Sequence, residues 1–279
     1  MSPKNNPVVS IIIPTYNSEK NLSKCLESLN QQHYHNIEII VVDQSSEDNT
    51  QKIAKKFECK LIKLPKPKFY SPPTRSRNEG AKLAKGEILL HLDSDMKVSG
   101  ELIKEIAEIF SFDPKVGALV VHEEDITNGF WSKCKAFERK CYWGNDNIES
   151  ARVVRKHIFN TVGGYDESLN SGEDFDIHRR YKKICKISFC NNVIYHDLGN
   201  LSFFKTISKK YNYGKTASKY FEKYNTSGQS ILYEQVKCYL RHLGDLVKSP
   251  VIGTGSIVLK ILEFASGGFG LIIGNYEKR

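Results

Sequence analysis

The sequence predicts an α/β fold: a Rossmann-like, mainly parallel central sheet flanked by helices, with a C-terminal helical appendage. Three observations predict it. Short apolar, β-branched runs alternate with segments of helical spacing from Val8 to His122. Acidic residues stand where those runs stop, at Asp43 and again at Asp93 and Asp95. The charge balance also changes near residue 200: residues 1–200 carry 29 basic and 27 acidic side chains, a net of +2, whereas residues 201–279 carry 12 and 5, a net of +7.

Val8 to Ile13 reads VVSIII, a buried strand by length and composition, stopped by Pro14. Leu22, Cys25, Leu26 and Leu29 recur at helical spacing in Ser18 to Asn30, with Ser18 at the N-cap. Ile37 to Val42 (IEIIVV) is a second strand, Asp48 to Phe57 a helix and Cys59 to Leu64 a third strand. This alternation implies parallel strands joined by right-handed crossovers. Pro65 to Thr74 holds four prolines and reads as a loop. A helix over Arg75 to Ala84 is stopped by Gly86, and Glu87 to Leu92 forms the next strand. Leu102 to Phe110 buries Ile103, Ile106, Ala107 and Phe110, and Val116 to His122 is a further strand. Glu123 to Asn160 is aromatic and reads as less regular.

With 279 residues, 40% hydrophobic and 26% charged, the composition excludes wholesale disorder and collagen-like architectures. Because the basic excess sits in the last quarter, a uniformly basic nucleic-acid binder is disfavoured, and no nucleic-acid partner is expected. The seven cysteines contain no CxxC pair, which suggests neither a disulfide framework nor a structural zinc site. Met1 to Pro7 is polar, and the apolar run after it is too short for a signal-peptide core. A cytoplasmic location is therefore expected.

Ligands of open α/β sheets bind outside the carboxyl ends of the strands. Pro14–Asn17, Asp43 and Asp93-Ser94-Asp95 all follow strands and should converge there. Two carboxylates one residue apart at a strand end can reach a hard divalent cation or the ribose of a nucleotide. Taken alone, the triplet also reads as a loop of solvated acids.

Four segments then stand in order: IIIPTYNSEKNL, VVDQSSEDNT, SRNEGAKLAKGEILLHLDSDM and GGYDESLNSGEDFDIHRRY. Over residues 8–200 this set resembles the inverting nucleotide-sugar glycosyltransferases of family two, which have the GT-A fold. The resemblance implies that Pro14, Thr15 and Tyr16 wall the base with Glu19 nearby, and that Asp43 contacts the base. It implies Asp93 at the ribose or the metal, Asp95 on a Mn²⁺ or Mg²⁺ ion beside the diphosphate, and Arg77 near the donor phosphates. Many relatives carry a second acid after the first at the end of the second strand; Gln44 stands there in this chain, which leaves the favoured nucleobase open.

Glu173-Asp174 matches the acidic pair that supplies the general base, with Asp174 first and Glu173 second. An acceptor hydroxyl must lose its proton as it attacks the anomeric carbon, and a nearby carboxylate can take it. Glu173, Asp174 and Asp176 also suit the first turn of a helix, and the two roles are compatible. Gly163-Gly164 suits a turn of positive φ. His196 is a candidate third metal ligand or a structural histidine, and His91 reads as packing. Asp125, Trp131, Trp143 and Asp146 are candidates to line an acceptor pocket, with core or lid packing as the alternative for each tryptophan.

Residues 203–224 interleave seven aromatics and six lysines, a pattern suited to a membrane interface, to packing as an amphipathic helix, or to stacking on single-stranded nucleic acid. Val251 to Ile273 is apolar and glycine-rich, but Lys260 and Glu263 argue against a simple span. An in-plane or re-entrant hairpin broken at Gly267-Gly268 is expected, with a soluble hairpin as the alternative. The expected organisation is a catalytic domain over 1–200 and a basic helical segment over 201–279 in peripheral contact with the inner face of the cell membrane. The expected partners are a UDP- or GDP-sugar donor and a hydroxyl acceptor, such as a lipid-linked glycan or a polyprenyl phosphate. A nucleotidyl transferase would open with a glycine-rich phosphate loop, and the first strand here ends in PTYN. A catalytically inactive glycan- or membrane-docking module of the same fold is the remaining alternative.

Overall fold

A computed structural model describes residues 6–66 and 73–277. Residues 67–72, most of the loop expected between Pro65 and Thr74, lie outside the described residues, as does most of Met1 to Pro7. The chain divides into two compact units. The first comprises Met1–Glu123, Ser150–Glu167 and Asp176–His196; the second comprises Glu124–Glu149, Ser168–Phe175 and Asp197–Arg279.

In chain order the elements begin β1 (Val9–Thr15), α1 (Glu19–Asn30), β2 (Ile37–Asp43), α2 (Thr50–Lys56), β3 (Lys60–Lys63), α3 (Thr74–Leu83) and β4 (Ile88–His91). They continue with β5 (Met96–Val98), α4 (Leu102–Phe112), β6 (Val116–Val120), β7 (Glu123–Thr127), α5 (Phe130–Cys141), β8 (Val153–Arg155), α6 (Lys156–Thr161) and α7 (Glu173–Lys182). The last are β9 (Lys186–Phe189), β10 (Ile194–Gly199), α8 (Phe203–Tyr224), α9 (Gly228–Arg241), α10 (Leu243–Lys248) and α11 (Pro250–Tyr276).

In the first unit a seven-stranded sheet runs β3-β2-β1-β4-β8-β6-β9. β3, β2, β1 and β4 are mutually parallel, and β8 runs antiparallel to both β4 and β6. The chain therefore leaves β1 in one direction along the sheet and reaches β4 on its other side, so a switch point lies between the ends of β1 and β4. Both faces are covered, which explains why the strands read as continuous apolar runs rather than as alternation. On one face Ile11 and Ile13 pack with Leu22, Leu26, Ile103 and Ile106. On the other Ile12 packs with Val42, Ala81, Phe159 and Tyr181. The strand expected to end at Ile13, before Pro14, runs two residues further, to Thr15. Proline lacks an N–H, but the register continues through Pro14↔Val42 to Thr15↔Asp43.

Glu123 to Asn160, expected to be less regular, contains β7, α5, β8 and most of α6. In the second unit Trp131 packs at 4.6 Å from the Phe203 ring and 4.9 Å from the Phe130 ring, and Asp125 pairs with Arg139 at 2.7 Å.

The expected break at Gly267-Gly268 is absent: α11 is one continuous helix of 27 residues. Its glycines permit close approach instead. A Cβ on Gly270 would lie 2.1 Å from the Tyr211 carbonyl oxygen of α8, and one on Gly274 would lie 2.3 Å from that of Lys215. A Cβ on Gly214 of α8 would in turn meet the Gly267 carbonyl oxygen at 2.0 Å. Gly268, by contrast, has nothing within 4 Å of where a Cβ would stand. Two substitutions in the same helix should therefore act with opposite signs. Gly270→Ala should cost about 1–3 kcal/mol because backbone must move. Gly268→Ala should be neutral or stabilise by up to about 1 kcal/mol, since alanine is the better helix former. Thermal unfolding of the two variants measures the contrast.

The two charges of α11 are also accounted for. Lys260 Nζ lies 2.7 Å from Glu138 Oε1 of α5, and Lys135 Nζ donates to both oxygens of Glu263 at 2.9 Å and to Glu138 Oε2 at 2.8 Å. The Tyr142 hydroxyl donates to Glu138 at 2.9 Å. Glu138 and Glu263 are buried.

Candidate active site

The carboxyl ends of β1, β2 and β4 carry the predicted groups. Pro14 and Thr15 are buried, while Tyr16 is 52% exposed at the mouth of the switch point. The turn that follows uses Asn17 at φ 48°. Asn17 donates its N–H to Ser46 Oγ at 2.9 Å, and its side-chain oxygen accepts from Glu47 N at 2.9 Å. Ser18 occupies the N-cap of α1 without a side-chain cap bond. Its hydroxyl instead accepts from Ser94 Oγ at 3.0 Å, tying the first loop to the acidic triplet. Glu19 Oε2 accepts from both the backbone and the side-chain nitrogen of Asn49 at 2.9 Å. It clamps α1 to the loop ahead of α2.

Asp43 is fully buried. Its Oδ1 accepts from Thr15 Oγ1 at 3.1 Å and from Ser46 Oγ at 2.5 Å. Its Oδ2 accepts from Ser46 N at 3.0 Å and Gln51 Nε2 at 2.8 Å. A carboxylate offers about four acceptor positions, so a direct contact from Asp43 to a base would require one of these donors to give way. In this conformation Asp43 fixes the two loops that would wall the base. Gln44 donates from Nε2 to Ser76 Oγ of α3 at 2.8 Å.

Asp93 and Asp95 follow β4 and differ in surroundings. Asp93 Oδ1 accepts from Arg77 Nη2 at 2.9 Å and its Oδ2 from Arg152 Nη1 at 3.1 Å. Burial would raise the Asp93 carboxyl, but the two guanidiniums outweigh it and hold the group well below the usual carboxylate range. Arg152 also pairs with Glu123. Glu123 Oε2 lies 3.7 Å from His196 Nδ1, and His196 Nε2 lies 3.6 Å from Asp95 Oδ2. A continuous row of polar side chains thus runs Arg77, Asp93, Arg152, Glu123, His196 and Asp95. His91 is packed as expected, with its ring centroid 5.3 Å from that of Phe159 and 5.2 Å from that of Tyr165. Burial, joined by Arg77, pushes the His91 imidazole down to about 3, so it is neutral.

The Arg77-Asn78-Glu79-Gly80 segment does separate jobs from one helix. Arg77 reaches Asp93 and lies over the Tyr165 ring at 5.1 Å. Asn78 accepts from Tyr165 N at 2.8 Å and donates to Tyr165 O at 2.9 Å, gripping the turn that holds Gly163 and Gly164 at φ 82° and 70°. A Cβ on Gly80 would meet Ile12 Cγ2 at 2.5 Å, so the glycine lets α3 lie on β1. Arg180 binds the same turn through the Val162 and Gly164 carbonyls at 2.7 and 2.6 Å, and Asp176 holds Arg180. Glu173 and Asp174 stand on the first turn of α7, half-buried.

A six-coordinate Mg²⁺ or Mn²⁺ ion takes ligands at roughly 2.0–2.2 Å. The Asp95 and His196 atoms, 3.6 Å apart, can both reach one such ion. The neighbouring Glu123 lies 3.7 Å from the other ring nitrogen, longer than a hydrogen bond. Among the described residues no three His, Cys, Asp or Glu side chains are gathered into a complete cage, so an ion there would need substrate oxygens and water as well. Both Asp93 oxygens are engaged by arginines, which favours a positioning role for Asp93 over ligation.

Comparisons with known proteins bear on this arrangement. The family description "Glycosyl transferase family 2" matches residues 10–165, more than half of the chain.

The chain belongs to glycosyltransferase family 2.

Membership places it among the glycosyltransferases with the GT-A fold. The description of a glycosyltransferase-like family 2 also matches residues 123–239. The glycosyltransferase GlyG of Streptococcus pneumoniae is 25% identical over 214 residues, 67% of this chain and 69% of that protein. The poly(ribitol-phosphate) β-N-acetylglucosaminyltransferase TarS of Staphylococcus aureus is 39% identical over 102 residues, 35% of this chain but 18% of TarS. Among solved structures, the mannosyltransferase PcManGT of Pyrobaculum calidifontis, in complex with GDP-Man and Mn²⁺, matches with a TM-score of 0.66 over 99% of this chain and 89% of that one, at 15% identity. That likeness is one of fold.

Two residues that stand beside Asp93 and His196 escaped the sequence reading, Arg152 and Glu123. The sequence signal was a charge beside each of two apolar runs, Glu123 after VVH and Arg152 before VV. Arg152 links Asp93 to Glu123, which in turn faces His196, a connection visible only once β6 and β8 lie side by side.

Proposed function

We propose that this chain transfers a sugar, with inversion and with assistance from Mn²⁺ or Mg²⁺, from a UDP- or GDP-sugar to the hydroxyl of a lipid-linked acceptor such as a glycan or a polyprenyl phosphate. The observation that carries the reading is the pairing of Asp95 with His196 at 3.6 Å beside an arginine-neutralised Asp93, at the switch point of a mainly parallel sheet.

Asp95 and His196 would hold the ion, with Asp93 fixed at their side by Arg77 and Arg152. When bound, the ion offsets the negative charge that gathers on the departing nucleoside diphosphate. Exposed Tyr16 offers a face for the base, while Pro14 and Thr15 form its floor and Asp43 and Glu19 brace the loops around it. Arg77 lends positive charge toward the donor phosphates while keeping Asp93 ionised. Asp174 accepts the proton of the attacking hydroxyl, with Glu173 next to it on the same helical turn. Attack from the acceptor side, opposite the leaving diphosphate, inverts the anomeric centre.

Membrane contact through residues 201–279 rests on two features. α11 is long and apolar enough to cross a membrane by length and composition. It leaves Val251, Ile261, Phe269, Ile272 and Tyr276 exposed by 59–78%. Lys135 and Glu138 neutralise its two charges in the interior of the second unit, and the lysines of α8 suit anionic headgroups. A peripheral enzyme on the cytoplasmic leaflet fits these features.

A panel of UDP- and GDP-sugars tests the function. The expected result is release of one nucleoside diphosphate in the presence of Mn²⁺ and its loss in EDTA. No release from any donor, with or without acceptor lipid, would favour an inactive docking module.

A further inference from the structure

The second unit contains a cavity of about 240 Å³ among α7, α8, α9 and α11. Its walls are apolar and aromatic: Phe175, Tyr220, Phe221, Ile231, Phe264 and Leu271. Three charged groups also line it, Lys210, Lys260 and Glu263. Two of the three are matched, since Lys260 meets Glu138 at 2.7 Å and Glu263 meets Lys135 at 2.9 Å. The group of Lys135, Lys260, Lys210, Glu138 and Glu263 then carries one positive charge in excess, and Lys210 supplies it. Burial, joined by Lys135 and Lys260, pushes the Lys210 ammonium down to about 8, the shift expected of a cation that lacks its own counter-charge.

We propose that this cavity binds an apolar chain ending in a phosphate, with the chain against the aromatic walls and the anion at Lys210. The size argues for part of a ligand: sites that enclose whole drug-sized molecules hold about 300–1,000 Å³. A nucleotide-sugar is too large and too polar for such walls. A cation is disfavoured by the surplus positive charge, and an uncharged chain would leave Lys210 uncompensated. The cavity is also placed by sequence where an acceptor is needed. Ser171, Gly172 and Phe175 line it, and they bracket Glu173 and Asp174. The inference deepens the proposed function, because it rests on the reading of the acceptor as lipid-linked. A fatty carboxylate shares the chemistry, and the test separates the two.

The full chain is titrated calorimetrically with citronellyl phosphate, citronellol, decanoate and inorganic phosphate, below their aggregation limits. Citronellyl phosphate should bind roughly tenfold or more tightly than citronellol, the gain typical of a hydrogen bond to a charged group. It should also bind more tightly than decanoate or inorganic phosphate. Lys210→Gln should erase the advantage over citronellol. Ala217 of α8 also lines the cavity, and Ala217→Phe, which would fill it, should weaken both isoprenoids. Should Ala217→Phe fail to fold, the wild-type ratio and Lys210→Gln still decide. Equal binding of citronellyl phosphate by wild type and Lys210→Gln, equal binding of inorganic phosphate, or preference for decanoate would overturn the proposal. UDP and GDP titrations with Mn²⁺ on the same samples separate the claims. Nucleotide binding without isoprenoid phosphate binding removes the cavity proposal alone; the reverse removes the donor reading.

Discussion

Asp174→Asn is expected to lower kcat by about 10²–10⁴-fold, the range for loss of a positioned general base, while the nucleotide affinity stays within a fewfold of wild type. The amide keeps the size and the helical position of the carboxylate but cannot take a proton at neutral pH. Glu173→Gln should cost much less, because Glu173 is the second candidate and Asp174 remains in place. The split between turnover and binding is the informative readout. A base on the acceptor side contributes when the hydroxyl attacks and adds little to holding the donor. Nucleoside diphosphate release under saturating donor, with nucleotide affinity by calorimetry, measures both. An unchanged kcat in Asp174→Asn would remove the assignment, whereas loss of folding, visible in the melting temperature, would point to its place on the first turn of α7.

Lys135→Met is expected to destabilise the second unit by about 3–5 kcal/mol, the cost of removing one partner from a buried ion pair. Lys135 donates to Glu138 at 2.8 Å and to Glu263 at 2.9 Å, and both acids are buried. Without it, Glu138 keeps Lys260 at 2.7 Å and the Tyr142 hydroxyl, but Glu263 keeps only the more distant Lys260 at 4.0 Å among the contacts described. The double variant Lys135→Met, Glu263→Met removes one charge of each sign and leaves the Lys260–Glu138 pair intact. It should regain much of the loss, since apolar replacement of a buried pair is often neutral. Chemical denaturation of wild type, single and double variants tests this. A single variant as stable as wild type would mean that the cluster does not hold α5 to α11.

The strands were legible in the sequence because most are buried on both faces, which writes them as β-branched runs such as IIIPT and IEIIVV. The acids at their ends were legible for the same reason, since a charge after such a run marks the sheet's carboxyl edge. The stretch from Glu123 to Asn160 was not legible. α5 buries Ser132, Cys134, Glu138 and Cys141, so two of its four inward positions are polar and the apolar periodicity is erased. The glycines of α11 misled in another way. Composition alone reads Gly267-Gly268 as a break, but Gly270 and Gly274 face backbone of α8, where only hydrogen fits. In the site, the residue types around Asp93 and Asp95 could be read, but their partners could not: Arg152 lies 59 positions from Asp93 in the chain. Asp43 shows the converse. Its place after β2 marked it as important, and the structure uses all its acceptor positions to brace the loops.

The most direct test of the account is calorimetric binding of UDP and GDP, with and without Mn²⁺, to the wild-type chain and to Asp95→Asn. The account predicts that one nucleotide binds only with the metal and that Asp95→Asn abolishes this binding without changing the melting temperature of the free protein. Binding of neither nucleotide under any metal condition, or metal-dependent binding that survives Asp95→Asn, would contradict it.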